Sequence, residues 1–124
     1  MFLLKSIVAL SGLLGILGAS IFPPAENIFQ CLVADNYTLI YNETIHKDAI
    51  EDEMAVAIVN FPGEYKTNDQ PIACVRITNL NPGNGGEVKT MTEAVFAKKL
   101  FAIITSGLGQ PLDYLVYIYT ASYS

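Results

Sequence analysis

Clusters of Gly, Pro and Asn cut this chain into apolar pieces too short for a helical core. They fall at Pro62-Gly63, at residues 81–86 (NPGNGG) and at residues 107–111 (GLGQP), and each is a turn signal that helix and strand interiors exclude. The period between them is that of a strand. Residues 113–121 (DYLVYIYTA) alternate Tyr114, Val116 and Ile118 with Leu115, Tyr117 and Tyr119, in the β-branched and aromatic composition a pleated surface favours. Residues 37–42 alternate in the same way. Residues 72–79 (IACVRITN) put Val75 and Ile77 on one face and Cys74, Arg76 and Thr78 on the other, so one face is core and the other meets water. Residues 54–61 (MAVAIVNF) are almost wholly apolar and read as a buried strand, ending in a turn where Pro62 presets φ and Gly63 takes a positive one. Residues 91–105 are mixed: Thr92-Glu93-Ala94 opens like a helix, whereas Phe101 to Thr105 reads as strand. Several short strands without a sustained helical period predict an all-β domain, a small antiparallel β-sandwich or barrel.

The first twenty residues are of another kind. Thirteen are apolar and Lys5 is the only charge. The run from Ser6 ends in Gly18, Ala19 and Ser20, the order of charge, short apolar stretch and small-residue site of a secretory signal peptide. Three Gly and an early end make it a poor membrane span. Cleavage after Ser20 leaves residues 21–124 as a single β domain, secreted and with no membrane anchor. Extracellular redox conditions favour a disulfide, and Cys31 with Cys74 is the one intramolecular pair available; two buried free thiols are the alternative. Asn36-Tyr37-Thr38 and Asn42-Glu43-Thr44 are N-glycosylation sequons, sites in a secreted protein if exposed.

The remaining polar residues point away from catalysis. His46 is the only histidine, lies in a polar stretch read as an exposed loop, and has no matched nucleophile. One His and two paired Cys cannot furnish the usual zinc sets. Asp48, Glu51, Asp52 and Glu53 lack the alternating oxygens and central Gly of a calcium loop and read as a solvated turn. The tract at residues 81–86 lacks phosphate-loop spacing. No catalytic residue, cofactor or metal ligand is therefore expected. Tyr114, Tyr117, Tyr119 and Tyr123 read as cross-strand pairs, with a carbohydrate or small-molecule platform as the alternative. Without the leader, 6 basic and 12 acidic residues remain, a net charge of −6 that nucleic-acid phosphates repel. Direct nucleic-acid binding is not expected.

The order of these segments also resembles a known family. Val75-Arg76-Ile77-Thr78-Asn79, the turn Gly83-Asn84-Gly85-Gly86, the strand ending in Thr105-Ser106-Gly107, and the terminal strand from Tyr114 to Tyr119 are similar to the insect family named for multiprotein bridging factor two. That family includes response-to-pathogen proteins of caterpillar gut. With the run from Tyr37 through the Phe61-Pro62 turn, the resemblance spans about residues 36–120. It implies a small all-β insect protein, usually with a signal peptide, and carries over no catalytic residues. Two functions follow as expectations. One is a secreted, non-enzymatic binding or defence-related factor that engages an unidentified protein or small ligand. The other, from the family's name, is a transcriptional coactivator bridging a DNA-bound factor and the general transcription machinery. The export signal favours the first.

Overall fold

Strict alternation of burial along the last strand shows which side of the chain faces inward. Leu112, Tyr114, Val116, Ile118 and Thr120 are buried, while Asp113, Leu115, Tyr117 and Tyr119 are only partly covered, as a two-residue side-chain period demands. The computed structural model describes residues 24–63 and 68–122; the expected signal peptide and Tyr123 lie outside the described residues. Among the described residues there are seven strands: β1 Ile28–Cys31, β2 Asn36–Lys47, β3 Val56–Phe61, β4 Cys74–Asn79, β5 Glu87–Thr92, β6 Leu100–Thr105 and β7 Leu112–Ser122. They form two antiparallel sheets, ordered β1-β4-β7-β2 and β3-β6-β5. The all-β prediction holds, and of its two forms the structure takes the open two-sheet one; the strands do not close into a barrel.

The inner faces meet in one core. Ala57, Val59, Phe61, Leu100, Ala102 and Ile104 come from the smaller sheet, and Val75, Ile77, Tyr114, Val116 and Ile118 from the larger. β7 lies inside the larger sheet and pairs with both β4 and β2, which explains why the clearest alternation in the sequence belongs to it. Residues 24–27 then reach across to the smaller sheet, where Ala25 bridges Val88.

Two readings are corrected. The apolar run at residues 54–61 is not buried on both faces, because the outer face of the smaller sheet meets solvent: Ala57, Val59 and Phe61 are buried, but Val56 is 51% and Ile58 59% exposed. The helix-like start at Thr92-Glu93-Ala94 is instead the end of β5 followed by a turn, with positive φ at Glu93 and Phe96. Within β5 a bulge between Val88 and Thr90 brings Val88 and Met91 to the same buried side. The Phe61–Pro62 peptide is cis, and Gly63 has the expected positive φ, at 113°.

Candidate binding face

Register fixes which side chains share the outer face of the larger sheet. Phe29 on β1 pairs with Arg76 on β4, which pairs with Tyr117 on β7, which pairs with Asn42 on β2. The next row runs Cys31, Cys74, Tyr119 and Leu39, and Tyr37 lies beyond it opposite Ala121. Residues opposite one another point to the same side, so these rows are aromatic and carry one cation, Arg76. Phe29 is 75% exposed. Arg76, the only arginine of the chain, holds its guanidinium carbon 5.8 Å from the Phe29 ring centroid, within cation–π range. The Tyr117 and Tyr119 rings meet edge to face at 6.3 Å, and Tyr37 and Tyr119 at 6.4 Å. Tyr37 also donates its hydroxyl hydrogen bond to the Leu32 carbonyl. Tyr114 does not join them. Its ring is in the core and its hydroxyl donates to the Glu26 carbonyl at 2.6 Å; burial, with Glu26 and Glu87 nearby, pushes its pKa up to about 12.

Cys31 and Cys74 form the expected disulfide. The neighbouring Leu32 amide bonds the Ala73 carbonyl at 2.8 Å, so the two cysteines occupy a non-hydrogen-bonded pair, the site where antiparallel strands come closest. Their Cα atoms are 4.0 Å apart. Both sequon asparagines, Asn36 and Asn42, are exposed on β2, an edge strand of the larger sheet. Asn42 sits on the aromatic face, directly across from Tyr117.

His46 is exposed as expected, yet it lies on β2 and not in a loop. Its Nδ1 is 2.5 Å from Asp113 Oδ1 and its Nε2 2.9 Å from Asp48 Oδ1. Carboxylates only accept, so both contacts are satisfied only by an imidazolium donating from both nitrogens. The Asp113 and Asp48 hydrogen bonds raise its pKa above the ordinary 6.5. A raised pKa means that its contribution to stability is complete below pH 6.5 and fades as pH climbs through the folded value. Surface pairs are screened by salt, so titration is the sensitive readout. The ring-proton NMR midpoint of His46 is expected above 6.5, and Asp113→Asn lowers it; a native midpoint at or below 6.5 rules out the two-carboxylate clamp.

The acidic cluster is the exposed turn that the sequence suggests. Asp48, Glu51, Asp52 and Glu53 are all exposed, and no group of three potential metal ligands occurs among the described residues. A polar centre that the sequence did not reveal lies at the end of β4. Asn79, 4% exposed, donates through Nδ2 to Glu26 Oε2 at 3.0 Å and Asn84 Oδ1 at 3.1 Å, and accepts from the Asn81 amide at 2.9 Å. Asn84 in turn donates to the Pro111 carbonyl at 2.9 Å. The two Gly-rich turns are thereby joined, and their backbones touch: a Cβ on Gly107 would stand 2.3 Å from the Asn84 carbonyl oxygen. The glycines serve loop packing here. No helix among the described residues is long and apolar enough to cross a membrane.

Fold and face together define a small, disulfide-bonded, two-sheet β protein. No family model, curated protein or solved structure matches the chain.

Proposed function

We propose that this protein is a secreted, non-enzymatic binding factor that acts through the outer face of its larger sheet. The observation that carries the reading is the Cys31–Cys74 bridge on the same sheet as two exposed sequons, since disulfides persist in oxidising compartments. The polar side chains support the absence of catalysis. Both His46 nitrogens are held by carboxylates. The buried Ser106 hydroxyl accepts from the Ala55 amide and donates to the Gly107 carbonyl, both at 2.8 Å. On sequence resemblance alone we place the chain near the insect bridging-factor-two and response-to-pathogen proteins, on the secreted side of that group.

Expression of the full chain in insect cells tests this. The expected product appears in the medium, lacks residues 1–20, and shifts on glycosidase treatment, with Asn36→Gln and Asn42→Gln each removing one glycan. Recovery of reduced, unglycosylated protein from nuclei in complex with a transcription factor would overturn the proposal in favour of the coactivator reading.

A further inference from the structure

Phe29, Tyr37, Arg76 and Tyr119, with the disulfide as its floor, line an open groove of about 260 Å³. We propose that this groove binds a sugar ring carrying a single carboxylate, as at the acidic end of a glycan, an inference that rests on the extracellular binding role above. Between β1 and β4 and between β4 and β7 the backbone groups beneath it are engaged in ladders, so on the groove floor recognition is left to side chains, which suits a ring lying on the face. Aromatic walls offer flat apolar faces to the C–H faces of a pyranose. Charge decides the rest. The ion pairs of the described residues join His46 to Asp48 and Asp113, Lys89 to Glu87, and Lys99 to Glu93; Arg76 takes part in none.

Its contact with Phe29 orients the guanidinium without neutralising it, leaving a planar donor fork that matches a carboxylate. The acidic balance of the whole chain, −5, opposes a polyanion and so selects a ligand with one negative group. The groove is also held in advance. The disulfide locks β1 to β4 two residues from the Phe29–Arg76 pair, and Tyr37 is tethered to Leu32, which lowers the ordering cost of binding.

The test is an NMR titration of the oxidised full-chain product with methyl glucuronide, methyl glucoside and benzoate. The glucuronide is expected to bind at least about tenfold more tightly than the glucoside, the size of one charge-assisted contact. Arg76→Gln abolishes that preference and Arg76→Lys restores part of it. Phe29→Ala weakens both sugars by about 2- to 10-fold. Arg76 and Phe29 are exposed, so these variants keep the fold, and their urea midpoints check it. Equal affinity for glucuronide and glucoside, an unchanged preference in Arg76→Gln, or tighter binding of benzoate overturns the proposal. So does binding that appears only in Asn42→Gln, because the protein's own glycan then covers the face. Nuclear recovery in the expression experiment would instead sink the secreted role and leave these affinities readable.

Discussion

Replacing Cys31 and Cys74 together by serine is expected to lower the unfolding free energy by about 4 kcal/mol, the chain-entropy value for the 43-residue separation that the bridge closes. The loss falls unevenly. β1 has four residues and among the described strands pairs with β4 alone, so without the bridge it is the strand with least to hold it. Native-state hydrogen exchange should therefore find the Leu32 amide, bonded to the Ala73 carbonyl, exchanging much faster in the double-serine protein while amides of β7 keep their order. Urea denaturation supplies the total, and dithiothreitol added to the native protein should move its midpoint the same way. A double-serine protein that unfolds at the native urea concentration, together with indifference to reductant, would remove the bridge from the list of stabilising elements. The same variant separates two roles of the disulfide. If it binds the glucuronide normally while folded, the bridge supports the fold without setting the groove.

Why some strands were legible and others were not comes down to bulges and edges. β7 is flanked on both sides by strands and buried on one face, so its sequence alternates without interruption. β5 is just as well ordered, but the bulge at Lys89 shifts the face of everything after it, and Val88 and Met91 end up on one side. β2 carries a similar shift between Leu39 and Tyr41. It therefore runs on to Lys47, through residues that looked like a polar loop, and takes His46 with it. β1 is too short to show a period at all. On the candidate face, Arg76 and the alternation of Tyr117 and Tyr119 were visible, yet their neighbours were not. Phe29, Tyr37 and Asn42 reach Arg76 and the tyrosines only through pairings between distant segments, β1 with β4 and β2 with β7, and no local pattern encodes which strands become neighbours. The disulfide was the exception, since two cysteines leave a single choice of pair.

Asn79→Ala is expected to cost about 3 kcal/mol, an effect near that of the disulfide from a side chain that makes no covalent link. Asn79 closes β4 with its side chain buried, and its amide group meets two acceptors and one donor. Truncation removes three hydrogen bonds, from the Asn81 amide, to the Asn84 amide oxygen and to the Glu26 carboxylate; a neutral one contributes about 0.5–1.5 kcal/mol and one to a charged group about 1.5–3. Asn79→Asp should also destabilise, for a different reason: it exchanges a donor for a carboxylate facing the Glu26 carboxylate and the Asn84 oxygen. The loss in Asn79→Asp should therefore shrink as pH is lowered and the introduced carboxylate protonates. Coupling distinguishes a joined network from two independent side chains. Asn84→Ala removes bonds to Asn79, Gly86 and Pro111, so the double variant should lose less than the sum of the two singles by about 0.5–3 kcal/mol. Strict additivity in urea unfolding would mean that Asn79 and Asn84 act independently. The Gly107 amide's hydrogen bond to the Asn84 carbonyl at 3.1 Å, which neither variant removes, would then be what joins the two Gly-rich turns.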